Sequence, residues 1–353
     1  MIANTSEGSL PTTSPESFSN NSLMDLSSCP SSNAWEWLYA TQPAYMAVLC
    51  ILGTIGNLFV LCVMCFHRKQ CTIAEIYLSN LAAADLVMVS CLPFWAVTIA
   101  DEFNWPFGGL LCRLVNVAIA MNLYCSILFL VLVSIDRYLA LVRPLSTSRM
   151  RRPVLAKVIC LGIWTVGFLL SLPVLLYRSV KYFPEFNTTA CYLAYPHEGL
   201  KVKHNLVMNI VMFLAPLAVI SFCSYHIIKA LNNNKIRKVC AMRTERKATH
   251  LVLIVLLVFF FCWTPCQIIR FLDTLYYYNA IAGCHWDTIL DVGIQITTYL
   301  AYSNSVLNPI LYVIVGKQFR KQAKELFIVT LKVRGKAPCT SNLSSDMKYC
   351  PPR

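Results

Sequence analysis

The sequence predicts an all-α membrane protein: a seven-transmembrane helix bundle followed by a short amphipathic cytosolic helix. Three observations carry that expectation. Of 353 residues, 57% are apolar and only 13% are charged, a balance that suits a bilayer better than water. The apolar residues are gathered into seven runs, each reaching the roughly 20 residues that a helix needs to cross about 30 Å of hydrocarbon. The Lys and Arg residues crowd into alternate connecting segments, as they do in cytosolic loops. This topology accounts for the net charge of +13 without any nucleic-acid partner.

Taken in order, residues 1–42 are polar, rich in Ser, Thr and Asn, and contain neither Lys nor Arg. They hold no apolar stretch fit to be a cleavable signal, so the first crossing is expected to act as its own insertion signal. Crossings are expected at 43–66, 72–100, 109–142, 153–176, 202–230, 246–275 and 286–314, separated by basic, polar or Pro-containing segments. Some exceed the minimum, which implies tilt or helix extending beyond the lipid. Residues 43–314 are thus expected to form the membrane domain, 315–330 a juxtamembrane helix and 331–353 a cytosolic tail.

Orientation follows from the basic residues. The segment after the first crossing begins His67-Arg68-Lys69, which places the N-terminus outside and the C-terminus in the cytosol. On that topology 24 of the 30 Lys and Arg are cytosolic, whereas 11 of the 17 Asp and Glu are external. The outer face then carries a charge of about −5, which favours cationic ligands by electrostatic steering. Asn4, Asn20 and Asn187 are external Asn-x-Ser/Thr sites and candidate glycan acceptors. Of 17 Cys, only Cys29, Cys112, Cys191 and Cys284 fall in or beside external segments, and four Cys allow three pairings. The favoured set joins Cys112 to Cys191, leaving Cys29 for Cys284.

Polar groups inside the bilayer are expensive and mark sites. Asp85 lies near the middle of the second crossing. Asn122 and Ser126 are one turn apart on the third, and Asn304 and Asn308 one turn apart on the seventh. Their oxygens suit a small hard cation or a water cluster; a purely structural hydrogen-bond network is the other reading. At the inner end of the third crossing stands Asp136-Arg137-Tyr138, where Arg137 can pair with Glu245 across the bundle or locally with Asp136. Pro93, Pro173, Pro216, Pro265 and Pro309 fall inside crossings, and each frees a backbone carbonyl and permits a kink. Pro265 follows Cys262-Trp263-Thr264, which sets a large aromatic beside a hinge.

These motifs, with Gly56-Asn57, Leu81 to Asp85, Trp105-Pro106-Phe107-Gly108, Cys112, Trp164, Phe259, and Asn308-Pro309 with Tyr312, resemble the rhodopsin-like G-protein-coupled receptors over the full chain. The resemblance implies coupling to a heterotrimeric G protein, and contact with arrestin and a receptor kinase. It implies an allosteric sodium ion held by Asp85, Asn122, Ser126, Asn304 and Asn308, with no other cofactor. It assigns Pro216, Ile127 and Phe259 to the central activation contact, with Trp263 above them, and Arg137 to the G-protein cavity after release from Glu245. One departure stands out. The family commonly has Tyr eight residues after the helix-five Pro, but Ser224 holds that place here and Tyr225 follows, so the usual inner contact with Tyr312 is not expected.

Several ligand classes are disfavoured by this resemblance. Tyr302 stands where opsins carry the retinal-linked Lys. Ile119 occupies the place of the amine receptors' Asp, and Met208 that of the angiotensin receptors' helix-five Lys. Segments Thr72 to Leu86, Val133 to Val142, Thr244 to Thr249, Phe271 to Leu275 and Ala301 to Arg320 are similar to the bradykinin receptors, above all their type two branch. That branch takes intact kinins, peptides with Arg at both ends. By this likeness Asp273 and Asp291 bind the N-terminal Arg, and Arg178 meets the C-terminal carboxylate. Trp95, Phe271, Gln295 and Tyr302 form pocket walls. Ala120 replaces a Lys of the type one branch and leaves room for the terminal Arg. The likeness also implies Gq-class coupling, phospholipase C activation, calcium release and a plasma-membrane location. Other readings are a receptor for a different basic peptide, angiotensin-like or chemokine-like, and a transporter. The transporter reading lacks the paired repeats of that class. No nucleophile–base set or metal cluster points to an enzyme.

After Gly316, the residues Phe319, Ala323, Leu326 and Phe327 recur at helical spacing, with Lys317, Arg320, Lys321 and Lys324 on the other face. That pattern predicts a helix lying on an anionic lipid leaflet. Cys339 is the nearest candidate for palmitoylation, and Ser341, Ser344 and Ser345 are candidate phosphorylation sites.

Overall fold

The computed structural model describes residues 34–66, 71–143, 152–232, 240–314 and 316–333. Asn4, Asn20, Cys29 and Cys339 lie outside them, as do the side chains of Glu245 and Cys284.

The first helix, α1 (Ala34–Phe66), begins nine residues before the expected crossing. The added turns are held by an aromatic contact: Trp35 and Tyr39 pack on Phe103, with ring centroids 6.2 and 5.8 Å away. Helix α2 (Ile73–Ala100) starts in a capping box in which Thr72 and Glu75 exchange side-chain and backbone hydrogen bonds. Helix α3 (Gly108–Val142) packs against α2 and against α4 (Pro153–Tyr177), which has Pro at its first position. Trp164 of α4 donates its indole N–H to Asn80 Oδ1 of α2 at 3.0 Å.

The stretch after α4, between the fourth and fifth crossings, is a β-hairpin. Strand β1 (Arg178–Phe183) pairs antiparallel with β2 (Thr188–Leu193), with Val180 opposite Cys191. The connection passes through Asn187 at φ 47°, a left-handed conformation that Asn tolerates better than most residues. Asn187 is exposed there and accepts a hydrogen bond from the Tyr182 hydroxyl.

The fifth crossing is interrupted. Helix α5 (Glu198–Asn209) passes into a π-turn at Ile210–Leu214 before α6 (Ala215–Asn232) continues it. Ala215 N–H bonds back to Ile210 O, five residues earlier, and the next residue, Pro216, has no N–H to donate. A missing donor is a usual cause of such a local change of winding.

The sixth crossing is α7 (Cys240–Tyr277), and the seventh is α8 (Cys284–Tyr302) continued by α9 (Asn304–Ile314). Among the described residues, five helices are individually long and apolar enough to span a membrane; the fifth and seventh crossings are the broken ones. Large apolar side chains such as Ile55, Leu161, Leu257 and Phe261 remain exposed on the outer faces, as lipid contact requires.

Helix α10 (Lys317–Val333) packs against α1, α7 and α9. Phe319 is buried against Phe59 and Tyr312, while Gln322 donates to Glu75 Oε1 at 2.7 Å. The turn into α10 demands Gly316, because a Cβ there would lie 2.4 Å from Tyr312 O. Arg320 reaches back to the carbonyls of Val313 and Ile314, the last free acceptors of α9.

Candidate functional site

At the end of the bundle that carries the hairpin, the helices enclose a cavity of about 540 Å³. Its roof is the hairpin, which three contacts pin in place. Cys191 of β2 is disulfide-bonded to Cys112 of α3, Trp105 N–H donates to Thr189 O at 2.7 Å, and Arg113 Nε donates to Arg178 O at 3.0 Å. Cys191 to Tyr195 consequently border the cavity.

Trp95, Ala120, Arg178, Asp273, Asp291, Gln295 and Tyr302 all line it. Phe271 does not. It is 49% exposed and shares the outward face of α7 with Ile268, three residues earlier and also exposed. Its expected role as a pocket wall is therefore corrected: the cavity face of this helix runs through Trp263, Cys266, Arg270 and Asp273.

Asp273 already has partners. Lys201 Nζ lies 3.4 Å from Oδ1, and Asn205 Nδ2 donates to Oδ2 at 3.0 Å. Both ends of the ion pair are 26% accessible, so water weakens it. Asp291 lines the cavity from α8, one turn before Gln295, whose Oε1 accepts from Tyr299 OH at 3.2 Å.

Arg178 extends from the first residue of β1 over the Trp95 ring, with its central carbon 5.8 Å from the centroid. Its Nη1 donates to Cys191 O at 3.1 Å, while Nε is buried with no hydrogen bond. Burial pulls its pKa down to about 10, which still leaves the group charged at neutral pH. Burial also pushes the Tyr195 phenol up to about 12, so it stays neutral.

Below the cavity, Asp85 accepts three hydrogen bonds. Asn122 Nδ2 lies 3.0 Å and Ser305 Oγ 2.8 Å from Oδ1, and Asn308 Nδ2 lies 2.9 Å from Oδ2. Asn122 also donates to Ser126 Oγ at 3.2 Å. Four of the five residues expected here are linked, and Ser305 is an additional member. Asn304 is buried one turn before Asn308, and the Oδ1 atoms of both lack hydrogen-bond partners. A carboxylate, hydroxyls and unpartnered amide oxygens are the donor set of a small hard cation, and the residues present fit one.

Trp263 joins the cavity to the core beneath it. It lines the cavity floor and packs on Phe259 at 5.9 Å. Phe259 and Ile127 are fully buried in one cluster, and Pro216 is buried at the π-turn. At the far end of the bundle, Arg137 binds Asp136 through Nη2 at 2.5 Å and Nε at 3.1 Å; the Glu245 side chain lies outside the described residues. Tyr138 packs against Phe222 and His226. Tyr225 is 61% exposed, on the lipid side, and Tyr312 OH is buried without a hydrogen bond. In this arrangement the Tyr312 hydroxyl therefore bonds neither Ser224 nor Tyr225.

Comparison with known proteins is consistent with this geometry. Residues 56–312 match the family described as 7 transmembrane receptor (rhodopsin family). The chain is 50% identical over 301 residues to the B2 bradykinin receptor of Rattus norvegicus, covering 85% of this chain and 76% of that one. It is 50% identical over 309 residues to the B2 bradykinin receptor of Homo sapiens, covering 87% and 79%. To the B1 bradykinin receptor of Homo sapiens it is 44% identical over 296 residues, covering 83% and 84%.

Proposed function

Because the chain belongs to the rhodopsin family of seven-transmembrane receptors, in its bradykinin-receptor branch, we propose that its outer cavity binds an intact kinin-type peptide and that this binding drives a G protein. It is a multi-pass membrane receptor and not an enzyme. The observation that carries the ligand assignment is the placement of Asp273 and Asp291, on two different helices, around one cavity that also holds Arg178. Two carboxylates suit the guanidinium of an N-terminal Arg by charge-assisted, bidentate bonds. Arg178 suits the carboxylate at the other end of the peptide.

Binding requires the ligand to replace Lys201 at Asp273. Pressure on Trp263 at the cavity floor passes to Phe259 and the Ile127 layer, and shifts the balance between bundle states. In the active state Arg137 leaves its carboxylate partner, Glu245 being the second candidate, and lines the G-protein cavity. A sodium ion held by Asp85, Asn122, Ser126, Asn304 and Asn308 would favour the inactive state. This reading extends to Gq-class coupling with calcium release, to regulation by a receptor kinase and arrestin, to glycans at Asn4, Asn20 and Asn187, and to a plasma-membrane location with the N-terminus outside. Helix α10 lies on the inner leaflet.

A calcium assay in transfected cells with intact kinin and with kinin lacking its last Arg tests the ligand assignment. A response to the intact peptide at much lower concentration is expected. Silence to both removes the kinin reading and leaves the receptor class intact.

A further inference from the structure

Two guanidinium groups reach the cavity, and neither has a carboxylate partner among the described residues. Arg178 overlies Trp95 with its Nε buried and unbonded. Arg270 stands on α7 one turn after Cys266, and both line the cavity. Arg178, Arg270 and the phenols Tyr195 and Tyr302 all line this one cavity. Neutral phenols do not balance them, and Asp273, the nearest acidic residue along α7, is already held by Lys201 and Asn205. An anion that reaches both guanidinium groups in this poorly solvated cavity would be held by charge-assisted hydrogen bonds from each.

We propose that Arg178 and Arg270 form a two-armed clamp for a single carboxylate, the free C-terminus of the peptide, so that the cavity selects peptide acids over peptide amides. This rests on reading the cavity as the peptide site, and it adds a binding role for Arg270. A carboxylate offers two oxygens with about four acceptor directions, enough to take both guanidinium groups. Arg270 lies three residues before Asp273 on one helical face, which sets the anionic-end subsite one turn deeper than the cationic-end subsite.

Competition binding on the full-length receptor in membranes compares intact kinin as free acid and as C-terminal amide. Wild type is expected to prefer the acid by on the order of 10- to 100-fold. Arg270→Ala is expected to weaken the acid and leave the amide nearly unchanged, and Arg270→Lys to restore part of the preference. Arg270→Gln serves in parallel if truncation lowers surface expression. Equal losses for acid and amide, or a wild type with no preference, overturn the clamp. If wild type binds neither peptide, the kinin reading falls by itself. The clamp is then decided by thermal shift of the purified receptor with benzoate against benzamide. Stabilisation by benzoate alone, abolished in Arg270→Ala, upholds it; equal shifts overturn it.

Discussion

Asn57 on α1 donates its amide at 2.8 Å to the backbone oxygen of Ser305 on α9. That carbonyl is the one Pro309, four residues later, leaves without a helical donor. The same Asn57 group also reaches Gly53 O at 2.9 Å. Its neighbour Gly56 permits the approach, since a Cβ there would lie 2.9 Å from Pro309 Cβ. Gly56 and Asn57 on one helix are thus matched to Ser305 and Pro309 on the other.

Asn57→Ala should strand the buried Ser305 carbonyl and destabilise the receptor by about 1–3 kcal/mol. Gly56→Leu should separate α1 from α9 and do at least as much. Thermal unfolding of the purified receptor measures both. An Asn57→Ala protein as stable as wild type would mean that water takes over the carbonyl.

Asp273→Ala combined with Asp291→Ala should weaken an Arg-starting kinin far more than an analogue lacking that positive charge. Competition binding with the two peptides is the check, and equal losses would sink the pairing.

Lys201→Ala should strengthen binding of the same Arg-starting peptide by roughly 2- to 5-fold, because the ligand no longer displaces a resident ion pair worth about 0.2–1 kcal/mol. The gain should shrink at high salt. A loss of affinity would instead assign Lys201 a direct contact with ligand.

Asp85→Asn should abolish any dependence of agonist affinity on sodium concentration, while Ser305→Ala should reduce it. Binding titrations in sodium and in N-methylglucamine buffers read this out. A dependence that survives Asp85→Asn would place the ion elsewhere.

Hydropathy and charge made the seven crossings legible, because lipid imposes length and composition on every one. They did not reveal the hairpin: six-residue strands with mixed polar composition look like loop, and what fixes them is the bond from Cys191 to Cys112. Asp273 was readable as a cavity residue, but its partners Lys201 and Asn205 are some 70 positions away and are set by tertiary packing alone. Ser305 gave no signal, since a Ser in a helix usually bonds its own backbone. Phe271 and Arg270 could have been told apart. Trp263, Cys266, Arg270 and Asp273 follow the 3- and 4-residue steps of one helix face, and Phe271 falls off it.

The two oxygens of Glu75 have separate duties: Oε2 accepts from Thr72 N at 2.7 Å in the cap of α2, and Oε1 accepts from Gln322 of α10. The amphipathic helix is thereby latched to the first turn of the helix that carries Asp85. Displacing α10 from the bundle would therefore cost the bond to Oε1 and leave the cap bond to Oε2 in place.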